Sequence, residues 1–200
     1  MDNRSLKQAE IFAFLAALFL IGIMLSEKAR QDNPPIIILS EEDKAFRFQT
    51  GSATVPDAFV NILHDKVIPQ INQLSKKYHC DLIEIVGHTD GAPVLNSSSN
   101  LDYANDPDNI LTAGSNTDLG MMRALNIMKI LNEATKANQL KNIKHIHPYS
   151  AGQMILPNQQ LALNKPFENN SKRRRIEIRL LRSHLRRTDQ HVMLATDSSK

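Results

Sequence analysis

A carboxylate and a guanidinium at the ends of two predicted elements are the groups in this sequence best suited to bind a ligand. The run 82–86 is apolar and β-branched, which predicts a buried strand that ends at Gly87. Asp90 therefore lies just past the end of a strand, and Arg123 lies one turn into the next predicted helix. An aspartate can accept hydrogen bonds from an ammonium group, and an arginine can bind a carboxylate through two parallel hydrogen bonds. Together the two side chains predict a site for a zwitterion.

Each of these residues has an ordinary structural interpretation when it is considered alone. Asp90 precedes Gly91, and Asp-Gly is a common turn pair. An isolated arginine such as Arg123 most often lies on a solvated helix face. The order of the surrounding residues favours a binding site instead. In order along the chain, the motif residues are the tetrapeptide Gly87-His88-Thr89-Asp90, then Asn116, Leu119 and Arg123.

These motifs, followed by the arginine pair Arg174 and Arg175, resemble the OmpA-like peptidoglycan-binding domain shared by OmpA, Pal and MotB. The resemblance covers roughly residues 45–181. It implies that Asp90 and Arg123 clamp the free end of the diaminopimelate side chain in the peptide stem of peptidoglycan. It also implies a binding role for four neighbouring residues and a structural role for three others. The binding residues are Asn116, Thr89, Leu119 and His88, and the structural ones are Gly87, Arg174 and Arg175.

The sequence departs from the family pattern at three places. Gly120 follows Leu119 where the family often has serine, and Arg173 precedes the arginine pair where asparagine is usual. The segment 91–115 is much longer than in typical members, and its richness in Asn, Ser, Asp and Gly predicts a surface excursion. None of these departures replaces a residue of the expected clamp.

The order of predicted elements and the resemblance together predict an α/β (α+β) fold. It is a two-layer OmpA-like sandwich in which a mixed four-stranded sheet carries helices on one face. Strands are predicted at 36–39, 46–48, 82–86, 143–149 and 176–180. One helix is predicted at 56–78 with a kink at Pro69, and a second is expected to be capped by Asn116 or Thr117. The chain divides into a membrane anchor helix at 1–28, a linker and first strand at 29–44, the peptidoglycan-binding domain at 45–187 and a flexible tail at 188–200.

The N-terminal segment predicts a membrane anchor. Residues 11–25 carry no polar side chain, and as a helix they would span about 23 Å at roughly 1.5 Å per residue. The hydrocarbon core is roughly 30 Å thick, so the flanking long side chains must snorkel to complete the span. A cleaved signal peptide is the alternative, but no small-x-small cleavage site follows the run. We predict an uncleaved, single-pass transmembrane helix in the bacterial inner membrane, with the C-terminal domain in the periplasm, where a peptidoglycan binder must lie.

Glu10 lies directly before the apolar run, and two interpretations of it remain open. An ionisable residue at a membrane helix can carry ions. The succession of an acid, an apolar span and Ser26 resembles MotB-type stator B subunits, in which an aspartate takes that place. This alternative function is a wall-anchored subunit of an ion-driven complex, flagellar-motor-like or Zorya-type, with a MotA-like channel subunit as partner. The ordinary interpretation is that Glu10 marks the membrane surface.

Other sequence features argue against further classes of function. The net charge of +3 makes no strong case for a nucleic-acid partner, and the basic run 173–187 lacks aromatic residues on which bases could stack. His145 and His147 alternate on one predicted strand face, but no third metal ligand is spaced with them. No nucleophile triad or acid pair indicates a hydrolase. We therefore expect a non-enzymatic protein without metal or cofactor, with peptidoglycan and membrane lipid as partners and, as the family implies, a homodimeric state.

Overall fold

The structure is a computed structural model that describes residues 3–31, 33–96, 98–104, 106, 110–162 and 168–183. The chain forms two compact units, residues 1–34 and 35–200. The first unit contains the long helix α1, Asn3–Gln31, and its described side chains at positions 10–24 are exposed. Among the described residues, none of the helices has the length of apolar sequence that crossing a bilayer requires. The predicted tail at 188–200 lies outside the described residues.

The second unit is built on a sheet of four strands. They are β1 (Ile37–Ser40), β2 (Leu82–His88), β3 (His145–Gly152) and β4 (Arg175–Leu181). The strand order is β1-β4-β2-β3; β2 is parallel to β3, and β4 is antiparallel to both β1 and β2. The predicted mixed four-stranded sheet is therefore confirmed.

The helices of this unit are α2 (Asp57–Ile62), α3 (Ile68–Tyr78) and α4 (Asn116–Lys136). A π-helical turn, Leu63–Val67, joins α2 to α3, so the predicted helix at 56–78 is present with an interruption just before Pro69. The π turn lies directly before Pro69, which has no N–H and disfavours regular α-helical bonding with the preceding turn. The predicted cap of α4 is wrong, since the side chain of Ser115 accepts the capping bond from the amide of Asp118.

The strand predicted at 46–48 is also wrong. The Asp43 side chain accepts a hydrogen bond from the amide of Ala45 and starts a 3₁₀ turn at Lys44–Phe46. The rings of Phe46 and Phe48 each pack edge-on against the ring of Phe59, with centroids 5.3 Å apart. The alternation of aromatic residues thus reflects two rings that pack on one helix residue, and this contact needs no strand.

One face of the sheet packs against the helices and forms the main core. The residues that meet there are buried aliphatic and aromatic side chains from β2, β4, α2, α4 and the π turn. They include Ile83, Ile85, Ile176, Ile178, Phe59, Leu63, Ile127 and Leu131. Because β4 runs antiparallel to β1 and β2, the ends of β1 and β2 lie beside the start of β4 at one edge of the sheet. Residues just past those strand ends are therefore brought together.

Helix α4 crosses strand β2 at two glycines. A Cβ atom on Gly87 would lie 2.0 Å from the carbonyl oxygen of Gly120, and one on Gly120 would lie 2.4 Å from Oγ of Ser150. Neither position can carry a side chain without a shift of the helix. The glycine that departs from the family pattern at position 120 thus allows this helix to approach the sheet closely, directly behind Asp90.

Candidate functional site

A cavity of about 470 Å³ opens at the edge of the sheet where β1 and β2 end and β4 begins. It is lined by six of the residues that the sequence analysis singled out, together with residues that it did not. The six are Thr89, Asp90, Asn116, Leu119, Arg123 and Arg174. Asp90 and Arg123, which the chain spacing paired, therefore face the same space. His88, Gly87 and Arg175 are not among the lining residues.

Four charged side chains of alternating sign run along the floor of this cavity. Arg123 Nη1 lies 3.6 Å from Glu41 Oε1, and Arg174 Nε donates to Glu41 Oε2 at 2.6 Å. Arg174 Nη1 also donates to Asp90 Oδ2. We call this set, Arg123, Glu41, Arg174 and Asp90, the charge chain. It places two acids and two bases within reach of one ligand and keeps their formal charges balanced.

The Arg123 side chain is buried like that of a core residue, and several contacts fix its position. Its side chain is 2% exposed and lies against the ring of Phe48, with 4.6 Å between the guanidinium carbon and the ring centroid. Nε donates to the carbonyl of Ser52 at 3.0 Å, and Nη2 donates to the carbonyl of Gln49 at 3.4 Å. Burial lowers the pKa of Arg123 to about 10, an effect that the Glu41 carboxylate partly offsets, so the residue stays charged at neutral pH. Since a guanidinium has five N–H donors, the two bonds to the backbone leave donors for a ligand.

Asp90 joins two loops to the end of β2. Its Oδ1 accepts from the amide of Ala92 at 3.1 Å, and its Oδ2 accepts from the amide of Asn170 at 3.0 Å as well as from Arg174. Burial disfavours the charge of Arg174, but hydrogen bonds to Glu41 and Asp90 outweigh burial and raise its pKa. The carboxylate of Asp90 is thus fixed in place by protein donors before any ligand arrives.

Described residues of the long segment 91–115 contribute to an apolar wall of the cavity. The apolar residues on the cavity side include Phe48, Val94, Leu95, Leu111 and Leu119, and the Leu95 side chain is 94% exposed. Asn100 ties the segment together by donating to the carbonyl of Ile110 at 2.9 Å and accepting from the amide of Thr112 at 2.6 Å. Asn116 donates to the carbonyl of Ala92 at 2.9 Å and so connects the wall to α4. The cavity has a charged floor and an apolar side.

The sequence analysis missed three charged or aromatic residues that line the cavity: Glu41, Arg47 and Phe48. A signal was present for Glu41, because it is a carboxylate two residues past a predicted strand, as Asp90 is a carboxylate shortly past another. Phe48 was assigned to a strand that does not exist, and its place beside Arg123 depends on the packing of its ring against Phe59.

His88 belongs to a second buried charge cluster on the face of the sheet opposite the helices. Its Nε2 lies 3.2 Å from Glu177 Oε1, and Glu177 also binds Arg175 at 2.9 Å and Arg179 at 2.5 Å. Burial disfavours the charge of Glu177, but its contacts with His88 and Arg179 outweigh burial and hold its pKa well below the usual range. Because His88 and Glu177 are both buried, this cluster stabilises the sheet from which Asp90 projects.

Glu177→Gln should lower the free energy of unfolding by about 1.5–3 kcal/mol at neutral pH, the range for hydrogen bonds to charged groups. The folded pKa of Glu177 lies below its unfolded value of about 4.3, so its contribution is fully present above that pH and is lost as the pH falls below it. The free energy of unfolding, measured by urea denaturation, should therefore change less between about pH 7 and pH 3 for this variant than for the wild type. Glu133→Gln, which alters an exposed pair with Lys136, is the matched control and should leave this pH dependence unchanged. A pH dependence of Glu177→Gln equal to that of the wild type would contradict this assignment.

The other candidate residues lie in ordinary structural surroundings. Arg173 Nη2 donates to the carbonyl of Gln153 at 2.8 Å, and Arg182 Nε donates to the carbonyl of Tyr78 at 3.0 Å, while Arg186 and Arg187 lie outside the described residues. The rings of His145 and His147 have centroids 6.2 Å apart. Within the described ranges, no three His, Cys, Asp or Glu side chains converge as metal ligands would. Glu10 is exposed on α1.

Solved structures similar to this chain include the following two. No family model matches the chain, and no curated protein matches it. The periplasmic domain of Helicobacter pylori MotB is 18% identical with a TM-score of 0.47, over 84% of this chain and 89% of that one. A putative MotB-like protein from Desulfovibrio vulgaris is 16% identical with a TM-score of 0.43, over 74% of each chain.

Proposed function

We propose that the protein binds peptidoglycan without cleaving it and that the cavity holds the zwitterionic end of the diaminopimelate side chain. The observation that carries the proposal is that Asp90 and Arg123, selected by their spacing in the sequence, line one cavity. The ligand carboxylate would take the free donors of Arg123, and its ammonium would take Asp90. The aliphatic part of the side chain would lie against the apolar wall. Thr89, Asn116 and Leu119 would contribute at the rim, whereas His88 would act from behind the site.

A binding role fits the chemistry of the charge chain better than a catalytic one. Each acid of the charge chain makes an ion pair with Arg174, and Glu41 also lies close to Arg123, so these carboxylates are arranged to hold charged groups in place. The experiment that tests the proposal is co-sedimentation of the full chain, purified in detergent, with sacculi that contain diaminopimelate. We expect saturable binding, and a chain that stays in the supernatant would overturn the proposal.

We also propose that α1 anchors the protein in the bacterial inner membrane by a single pass, with the binding domain in the periplasm. Consecutive exposed apolar residues between positions 11 and 24 support this, because a helix that is apolar on all sides needs an apolar environment. Long flanking side chains would complete the span by snorkelling to the interface. The partners we propose are membrane lipid for α1, peptidoglycan for the cavity and a second copy of the chain in a homodimer.

The mature protein should retain residues 11–25, because no cleavage site follows the apolar run. Mass spectrometry of the protein extracted from the inner-membrane fraction should give the mass of a chain that includes this segment. A mature chain that begins near Lys28 or Arg30 would show that the segment is a signal peptide.

A second function, a stator-type subunit of an ion-driven complex with a MotA-like partner, is favoured by the position of Glu10. This carboxylate immediately precedes the exposed apolar stretch of α1. In such a complex Glu10 would have to release and regain a proton or hold a cation within the partner channel.

Glu10→Gln keeps the shape of the side chain and removes the carboxylate that would release and regain a proton or hold a cation. The stator function predicts that this variant loses the activity of the complex in cells while membrane insertion and sacculus binding persist. Glu10→Asp, the matched control, should retain part of the activity. Full activity of Glu10→Gln would reject the ion-carrier role and leave the wall anchor as the function.

A further inference from the structure

Glu41 carries a buried oxygen that no described group of the protein satisfies. The residue follows β1, is 6% exposed and lines the cavity. Its Oε2 accepts from Arg174, but its Oε1 has no hydrogen-bond donor among the described residues, and Arg123 Nη1 is 3.6 Å away. A buried carboxylate oxygen without a donor is costly. A donor that enters from the cavity would therefore be bound favourably at this atom.

Two more acceptors with spare capacity belong to the same cavity. Thr89 is 1% exposed, and its hydroxyl has no hydrogen-bond partner in the part of the chain that the structure describes. Among the described residues, Asp90 Oδ1 accepts one bond, from the amide of Ala92, and a carboxylate oxygen can accept two. The guanidinium of Arg174 binds Glu41 and Asp90 at the same time, so it holds the two carboxylates close together despite their like charges.

We propose that Glu41 is a second carboxylate of the binding site and accepts a hydrogen bond from the ligand's primary ammonium group. Thr89 and Asp90 supply the other two acceptors. An ammonium group has three donors and no acceptor, so it can bond to all three acceptors, whereas a carboxylate or a phosphate would be repelled by the two carboxylates. The ligand carboxylate lies on Arg123, whose Nη1 is 3.6 Å from Glu41 Oε1, so the opposite charges of the ligand lie on neighbouring members of the charge chain. This inference rests on the proposed function and adds Glu41 and Thr89 to Asp90 as the groups that recognise the ligand's amine.

The test compares two ligands and three proteins. The ligands are a muropeptide with a free diaminopimelate amine and the same muropeptide acetylated at that amine. The proteins are the full wild-type chain, Glu41→Gln and, as matched control, Glu42→Gln, which alters an exposed neighbour 3.7 Å from Lys172. Affinities are measured by calorimetry in detergent. We expect acetylation to weaken binding to the wild type and to Glu42→Gln by about tenfold or more, as loss of a charged hydrogen bond of at least about 1.4 kcal/mol implies.

Glu41→Gln should bind the free amine about tenfold more weakly and should distinguish the two ligands less well than the wild type. If Glu41 had only a structural role, Glu41→Gln would bind both ligands more weakly by the same factor. A ratio of the two affinities equal to that of the wild type would therefore overturn the inference. If Glu41→Gln does not fold, Thr89→Val serves as the test variant, because it removes one acceptor while nearly keeping the shape of the side chain. It should also reduce the ratio of the affinity for the free amine to the affinity for the acetylated ligand. If the wild type binds neither ligand, the proposed function and this inference are overturned together. If the wild type binds and both variants keep its ratio of affinities, the inference alone is overturned.

Discussion

Arg123→Ala should lower the free energy of unfolding by about 3–5 kcal/mol, the usual cost of removing one partner from a buried ion pair. The substitution would leave Oε1 of Glu41 buried without a nearby cation and would free the carbonyls of Ser52 and Gln49. Binding to sacculi should be lost in the fraction that still folds. Urea denaturation followed by circular dichroism measures the stability, and co-sedimentation measures the binding.

The matched control for this prediction is Lys129→Ala, which removes an exposed cation from the same helix. It should change stability by no more than about 0.5 kcal/mol, as surface substitutions usually do. An Arg123→Ala protein as stable as this control would show that Arg123 is a solvated residue. Arg123 therefore has a role that the sequence alone does not predict, because its side chain donates to the backbone of residues 49–52 as well as lining the cavity.

Asp90→Ala should weaken binding to sacculi by about a hundredfold or more. It removes the carboxylate expected to meet the ligand's ammonium, and it also releases Arg174 and the amide of Asn170. A charged hydrogen bond is worth about 1.5–3 kcal/mol, so loss of the bond to the ammonium, together with the displacement of Arg174 from its place in the site, accounts for a loss of this size. Binding isotherms obtained by co-sedimentation at fixed salt concentration measure the change.

Asp102→Ala is the control for Asp90→Ala. Asp102 is an exposed aspartate in the same long segment, in the 3₁₀ turn Leu101–Tyr103, and it does not line the cavity. It should bind as the wild type does. Asp90→Asn, which keeps the size of the side chain, should resemble Asp90→Ala in binding and remain closer to the wild type in stability. Sacculus binding by a folded Asp90→Asn equal to that of Asp102→Ala would remove Asp90 from the site.

The pairing of Asp90 with Arg123 was predictable because the ordered residues Gly87-His88-Thr89-Asp90, Asn116, Leu119 and Arg123 resemble a family pattern, although each residue alone has an ordinary structural interpretation. The regular spacing within α4 places Leu119 and Arg123 on its buried side. The strands were predictable because apolar β-branched runs and, at 176–180, the alternation of apolar and polar residues are visible locally.

The contact partners of Glu41 were not predictable, because they come from distant parts of the chain. Antiparallel pairing of β1 with β4 brings Glu41 beside Arg174, and the amide of Glu41 donates to the carbonyl of Arg174 at 3.1 Å. No local pattern encodes that partner. The false strand at Phe46 and Phe48 has a similar origin, because two aromatic rings directed at Phe59 reproduce the period-two signal of a strand.

The central claim, that the cavity binds a zwitterion at the end of diaminopimelate, is tested most directly by exchanging that residue of the ligand. Sacculi with lysine at the same position of the peptide stem present the ammonium group and lack the carboxylate. The full wild-type chain is co-sedimented with both kinds of sacculi under identical conditions. We predict saturable binding to the diaminopimelate sacculi and loss of binding to the lysine sacculi, because Arg123 then has no carboxylate to bind. Equal binding to both would contradict the claim.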